Sequence, residues 1–425
     1  MTHAQKRSSQ KDPFLKDFLL RLLLVLGSLF VALLVLEFAV RLLPAPYRAD
    51  EGNVPLFNSQ ANLFICDNEL GWVGVPAFQG VVELPGATST IKANALGMHD
   101  SDHHVEGAPN TARILMLGDS FVHAIQVEEG VTAHQVLEDE LNYNRTGSDL
   151  DYEVISGGMT GWGTGQELVY YGEQGRKFEP DLVLLMFFLG NDLEDNLPGN
   201  VLTIGGRNCY APYFAQCEDG LDPNPLKYAP GISDNQNNCT SPRRLSVNTL
   251  GRLYQYSRLY QQLEPLIISQ RPRQLFGTQY PNSFWALYIP NDEQELEQAW
   301  QVTQGLVLQL RQEVEADGAR FAVAFFPWSV IIEMSILPPE RQAAILKENP
   351  AFVAAEIDRP NTYFAEFLNR HGIPFIDLTP LIAQEQQAQD TLLHFVGDGH
   401  WTVAGNRFIA EQLANWVVQN GLVPE

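Results

Sequence analysis

Three short blocks carry side chains that can transfer an acyl group together: Gly118-Asp119-Ser120, Gly190-Asn191-Asp192 and Asp398-Gly399-His400-Trp401. A serine hydroxyl is a weak nucleophile until a neighbouring base takes its proton, and His400 is the base the sequence offers to Ser120. Asp398, two residues earlier, is of the type that orients an imidazole and supports its positive charge. A tetrahedral intermediate needs donors aimed at its oxygen. Asn191 brings a side-chain amide, while Ser120 and Gly161 bring backbone N–H groups. Gly-Asp-Ser alone arises by chance in roughly one chain in ten of this length, the three blocks together in very roughly one in ten thousand or fewer. The set, and no single member, therefore carries the reading.

The elements that must position these residues follow from the apolar pattern. Strands are expected at 114–117, 152–155, 182–188, 321–326 and 374–376, with helices at 131–142, 249–268, 293–316, 361–371 and 404–418. Apolar runs alternating with helical segments predict a parallel sheet covered on both faces. Ligands of such sheets lie outside the carboxyl ends of the strands, and Ser120 and Asn191 each follow a strand end. The run from Ser156 to Thr164 is rich in glycine but does not meet G-x-G-x-x-G, since Gln166 stands in the sixth position from Gly161. Close backbone approach to a substrate suits it better than a phosphate.

With these blocks the chain resembles the SGNH (GDSL-like) hydrolase superfamily, whose four blocks carry Ser, Gly, Asn and His. Here they fall on Ser120, Gly161, Asn191 and His400. The resemblance covers roughly residues 112–192 and 372–418. It implies a flavodoxin-like three-layer α/β/α sandwich with Ser120 as nucleophile and His400 as base. It also implies an oxyanion hole of Ser120 N–H, Gly161 N–H and Asn191. One departure stands out: the usual last block is Asp-x-x-His, whereas position 397 is glycine and the aspartate is Asp398. The form Asp-x-His-Trp is similar to that of membrane-anchored relatives and of bacterial alginate O-acetylation proteins. G-x-S-x-G, the mark of the α/β-hydrolase elbow, is absent.

At 425 residues and 45% hydrophobic content the chain can bury a full core with room for insertions. Its 27 basic against 51 acidic residues argue against a nucleic-acid partner. The span 18–43 has no charge from Leu22 to Leu36 and follows Lys6, Arg7, Lys11, Lys16 and Arg21. It reads as an uncleaved transmembrane anchor rather than a signal peptide, because no small-x-small site follows and Glu37 and Arg41 occupy the would-be cleavage region. The positive-inside bias then leaves residues 1–17 as a cytoplasmic leader and places the rest in the periplasm or outside the cell. An irregular linker and N-terminal extension is expected over 44–110, with a turn at 94–98. The hydrolase-like domain spans 111–425, with an insertion at about 197–248. Four cysteines, Cys66, Cys209, Cys217 and Cys239, suit an exported domain; three pairings are open, one bridge local to the insertion among them.

The remaining candidates are weaker. His99, Asp100, Asp102, His103 and His104 crowd one segment, but their spacing matches no metal site, and a solvated loop is the expected reading. His123, Trp162 and Trp401 adjoin site residues and are candidates to line the substrate pocket, and His394 reads as structural. No cofactor and no metal is expected. The sequence thus points to a serine esterase or acyltransferase acting on O-acyl, foremost O-acetyl, groups of an envelope or exopolysaccharide carbohydrate. A lipid or thioester hydrolase is the alternative within enzymes. A non-catalytic glycan-binding scaffold, or a member of a polysaccharide-synthesis complex, is the alternative outside them.

Overall fold

The computed structural model describes residues 13–41, 63–84, 86–143, 150–197, 200–204, 207–214, 216–217, 220–221, 226–227, 287–288, 294–336, 338–340, 342–343, 356–389, 392–395 and 398–424. In chain order the main elements before the insertion are α1 (Pro13–Arg41), β1 (Phe64–Asp67), β2 (Gly71–Gly74), β3 (Gln79–Leu84), β4 (Ala87–Lys92), β5 (Thr111–Gly118), α2 (Ser120–His123), α3 (Ala133–Tyr143), β6 (Asp151–Gly158), α4 (Thr164–Glu173), β7 (Leu182–Phe188) and α5 (Asp192–Asp195). There follow β8 (Val201–Ile204), β9 (Arg207–Tyr210), α6 (Gln294–Ala316), β10 (Arg320–Phe326), α7 (Ser329–Ile336), α8 (Arg359–Arg370), β11 (Phe375–Asp377), α9 (Thr379–Gln389) and α10 (Val403–Gln419).

Five strands form one parallel sheet in the order β11-β10-β7-β5-β6. Counting only these five along the chain, the order is 2-1-3-4-5, that of flavodoxin-like doubly wound sheets. The apolar runs are continuous because both faces are covered. On β5, Ile114 and Met116 enter one core and Leu115 and Leu117 the other; on β7, Leu184 and Met186 oppose Val183 and Leu185. One core receives α3 and α10 through Leu137, Leu413 and Val417, and the other receives α4, α6 and α8 through Leu168, Leu306 and Phe364. Along the outer edge of β6, the N–H groups of Tyr152, Val154 and Ser156 donate to the side chains of Asn142 (2.9 Å), Glu138 (2.8 Å) and Asp100 (2.9 Å).

All five expected strands are present, with ends that differ by a few residues. The expected helix 249–268 and Cys239 lie outside the described residues. The extension is more regular than expected: β1 pairs with β2 and β3 with β4, both antiparallel. These strands are only four to six residues long, and glycines in β2 and β3 further hide their alternation. The expected turn at 94–98 is there, with Asn94 Oδ1 accepting from the N–H groups of Leu96 and Met98. The insertion opens with the hairpin β8–β9.

Of the pairings open to the sequence, Cys66 on β1 bonds Cys209 on β9, so the bridge reaches across 143 residues rather than staying within the insertion. A loop of that length implies a large entropic contribution, and a Cys66→Ser, Cys209→Ser double variant should be less stable by about 2–5 kcal/mol. Chemical denaturation of oxidised wild type beside the variant checks this; equal midpoints would mean that the bridge constrains nothing.

At the N-terminus α1 runs 29 residues as one helix, and its Leu23, Val25, Val35 and Phe38 are 62–68% exposed. Among the described residues, as far as their side chains are described, no helix is long and apolar enough to cross a membrane.

Candidate active site

Ser120 sits where β5 ends and α2 begins, held there by backbone that only glycine permits. A Cβ on Gly118 would stand 2.5 Å from Val122 Cγ2, and one on Gly158 would stand 2.4 Å from Val122 Cβ, so α2 can close onto the strand tips. Asp119 caps α2 by accepting from Phe121 N–H at 2.9 Å. From the far end of the chain, His400 brings its Nε2 to 2.7 Å from Ser120 Oγ, and its Nδ1 donates to Asp398 Oδ1 at 2.7 Å. With Nδ1 carrying its proton toward a carboxylate, Nε2 is the acceptor and the serine hydroxyl donates to it. This is the geometry of a Ser-His-Asp triad.

The two-residue spacing of Asp398 and His400 has a local explanation. Asp398 Oδ1 also accepts from the backbone N–H of His400 at 3.2 Å, an Asx-type turn that folds the carboxylate back over the residue two places on. Gly399 between them has φ +88°, a left-handed conformation that glycine adopts without strain. A side chain there would also press on Trp328 Nε1 at 3.1 Å. The turn is closed by Phe395 N–H to His400 O and Gly399 N–H to Phe395 O. Below the imidazole, Phe121 packs at 4.7 Å between ring centroids and is itself ringed by Phe188, Phe326 and Trp401.

The other blocks reach the same rim. Met159 N–H donates to Gly118 O, tying the glycine-rich loop to the strand that delivers Ser120. Among the described residues nothing accepts from the N–H of Ser120 or of Gly161, so both remain available to an oxyanion. Asn191 donates from Nδ2 to Asp195 Oδ2 at 2.9 Å, and its amide is among the hydrogen bonds that oppose the rise which burial imposes on the Asp119 carboxyl.

Three residues expected to line a substrate pocket are buried. Trp162 is fully buried and donates Nε1–H to Trp72 O, and Trp401 is 2% exposed within the aromatic cluster. His123 is buried, with Nδ1 2.8 Å from Thr160 Oγ1, and burial lowers it to about 3, which keeps it neutral. Adjacency in sequence to a site residue does not decide on which side of the backbone a side chain packs, and for large rings the core wins. His394 is buried as a structural residue, bonded to Gln386 Oε1 at 3.2 Å and lowered by burial to about 4.

The crowded segment at 99–104 is no solvated loop at its centre. His99 and Asp100 are buried, and Asp100 faces His103 Nε2 at 2.9 Å and His134 Nε2 at 3.3 Å. Opposite, His103 Nδ1 donates to Glu153 at 2.7 Å, and Glu153 also takes Arg113 Nε–H at 2.7 Å. Set between two carboxylates against the cost of its burial, His103 is raised to about 10. Among the described residues no group of side chains could hold a metal ion. Burial had the last word here, because the partner Glu153 lies on a strand fifty residues on.

Behind the nucleophile lies a feature that no motif announces. Glu167 and Asp192 are fully buried, and burial followed by the field of Asp119 raises both well above the usual carboxylate range. Among the described residues neither oxygen of Glu167 has a hydrogen-bond partner. An acid whose folded pKa is raised holds a proton that the unfolded chain releases, so its folding free energy weakens as pH rises above about 4.3. Glu167→Gln cannot charge and should melt above wild type by a margin that widens from pH 5 to pH 8. Thermal unfolding across that range tests it, and a constant margin would rule out a charging cost.

Neither a protein-family model nor a curated protein matches the chain. Among solved structures it is similar to TesA (12% identity over 72% of this chain and 98% of that one, TM-score 0.34). It is also similar to the acetyl xylan esterase AlAXEase (10%, 71% and 98%, TM-score 0.34). A further likeness is to the psychrotrophic esterase EstA from Pseudoalteromonas sp. (11%, 73% and 97%, TM-score 0.34). In its four blocks, its strand order and its Ser-His-Asp geometry, the chain resembles the SGNH (GDSL-like) hydrolase superfamily.

Proposed function

We propose that the protein is a membrane-anchored serine esterase or acyltransferase that acts on O-acyl groups, foremost O-acetyl groups, of an envelope or exopolysaccharide carbohydrate. The observation that carries the chemistry is the unbroken relay from Asp398 through His400 to Ser120, both contacts at 2.7 Å. Ser120 Oγ attacks the ester carbonyl as its proton passes to His400 Nε2, and the new oxyanion meets the N–H groups of Ser120 and Gly161 with Asn191 beside them. His400 then protonates the leaving alcohol. The acyl-enzyme is resolved by water in a hydrolase or by a sugar hydroxyl in a transferase, with His400 again taking the proton.

The carbohydrate reading rests on the Asp398-x-His400-Trp401 form of the last block. The anchor reading rests on α1, which at 29 residues spans about 44 Å, more than the ~30 Å of a bilayer core, and whose Leu23, Val25, Val35 and Phe38 are exposed. Basic residues precede its apolar run, which suits a cytoplasmic N-terminus and a catalytic domain on the far side of the membrane. The Cys66–Cys209 bridge suits the oxidising conditions found there.

Labelling with a fluorophosphonate, read by intact mass on the full chain in detergent, tests the nucleophile. Wild type should take up one adduct and Ser120→Ala none. No adduct on folded wild type would sink the serine mechanism. Acetate release from acetylated glycans, compared with fatty-acid release from lipid esters, then tests the substrate class.

A further inference from the structure

The Gly161 N–H is useful to an oxyanion only if its peptide plane is fixed, and that plane is held from outside the four blocks. A trans peptide is planar, so the carbonyl of Thr160 and the N–H of Gly161 point in opposite directions along one rigid unit. Trp72 on β2 donates Nε1–H to Thr160 O at 2.9 Å. Whatever fixes that carbonyl fixes the N–H on its other side. The next peptide is gripped as well: Asn200 Nδ2 donates to Gly161 O at 3.0 Å and to Asp195 O at 3.3 Å. One amide thus joins the loop that carries Gly161 to the turn of α5, whose Asp195 side chain holds the amide of Asn191.

Both grips belong to pieces that are pinned together. Trp72 is 1% exposed in the core, which leaves its indole no room to swing, and its backbone carbonyl is held by Trp162 Nε1–H at 3.0 Å. Asn200 stands at the base of the β8–β9 hairpin, where Ala211 N–H donates to Asn200 O at 2.9 Å. Cys209 on that hairpin is bonded to Cys66 on β1, the strand paired with β2.

Taking the triad reading as given, we propose that Trp72 and Asn200 are positioning residues for the oxyanion hole, and that the N-terminal extension is therefore part of the catalytic apparatus. Neither touches the reacting atoms. Trp72 orients the Gly161 N–H, and Asn200 sets the separation between the Gly161 loop and the Asn191 turn. A donor misplaced by an ångström costs on the order of 10²-fold, and loss of a donor 10²–10³-fold.

The test uses the full chain in detergent, p-nitrophenyl acetate as ester and a fluorophosphonate whose phosphoryl oxygen enters the same hole. Trp72→Phe keeps an aromatic ring but loses the N–H together with part of the indole, whereas Asn200→Asp keeps the shape and replaces the donor with an acceptor, so Asn200→Asp is the cleaner of the two. Each should lower kcat roughly 10- to 100-fold with KM within about twofold, and slow labelling by a similar factor. The loss should persist at temperatures well below each variant's own melting midpoint, since a packing defect lowers the midpoint without selectively slowing the chemical step of the folded fraction. If both variants keep kcat and labelling within about threefold of wild type, or if KM rises while kcat stands, the positioning role is overturned. Should Trp72→Phe fail to fold, Asn200→Asp alone decides by the same criteria. Ser120→Ala runs beside them: if it retains turnover, the triad reading has failed instead.

Discussion

Replacing Ser120 with alanine should lower ester turnover by about 10⁴- to 10⁶-fold while leaving the fold intact. The hydroxyl lies 2.7 Å from His400 Nε2 in a position it can leave without repacking, because its neighbours are held by their own bonds: Phe121 N–H by Asp119, Phe121's ring by four aromatic partners. His400→Ala should cost a similar factor, and the double variant little more than either single one, since nucleophile and base act as a unit. Asp398→Asn should cost less, because the turn that places the imidazole is also closed by backbone bonds. Initial rates on p-nitrophenyl acetate decide. Full activity in Ser120→Ala would remove the serine from the mechanism, and strictly multiplicative losses in the double variant would separate the two roles.

The largest loss of stability is expected at a residue with no part in turnover. Asp100→Ala removes the carboxylate that faces His103 and His134 and that accepts the N–H groups of Ser101 and Ser156. It leaves a buried imidazolium with one partner fewer and strips both backbone donors of this acceptor, that of Ser156 within the buried interior. Breaking a buried ion pair in this way costs about 3–5 kcal/mol, a fall in melting midpoint of roughly 6–10 °C or more. The pH dependence has a definite sign. His103 is raised to about 10, so its contribution is complete below about 6.5 and is lost as pH rises through 10. Asp100 is lowered, its own burial outweighed by the histidines beside it, so its contribution is complete above about 4 and is lost in acid. Wild type should therefore gain most over Asp100→Ala between about pH 4 and 6.5. A gap that does not narrow toward pH 10 would mean that His103 is not the charged partner.

How much of this was legible in the chain depended on range. The strand Leu182–Phe188 was read to the residue, because seven consecutive apolar side chains have one physical use in a chain of this kind, burial on both faces of a sheet. The triad blocks were legible because their chemistry needs particular side chains at strand ends. What escaped were relations between remote positions. His103 finds Glu153 fifty residues on, and composition alone made that polar segment look solvated. The Cys66–Cys209 bond could not be chosen among the open pairings. Trp162 and Trp401 were misplaced for the converse reason: nearness in sequence to Gly161 and His400 suggested nearness to substrate, while their large apolar rings were drawn inward. Trp72 gave no signal, since its value lies in one indole N–H meeting a carbonyl 88 positions away.

The side chains along the outer edge of β6 have a consequence beyond the molecule itself. An unoccupied row of strand N–H groups is an invitation for a second chain to extend the sheet, and the risk grows as copies are brought together at high local density. Here Asn142, Glu138 and Asp100 have already answered the N–H groups of Tyr152, Val154 and Ser156. Two of the three are carboxylates, so an approaching strand would have to displace a charge as well as a bond. Copies crowded shoulder to shoulder can thus collide along this edge and part again as separate enzymes.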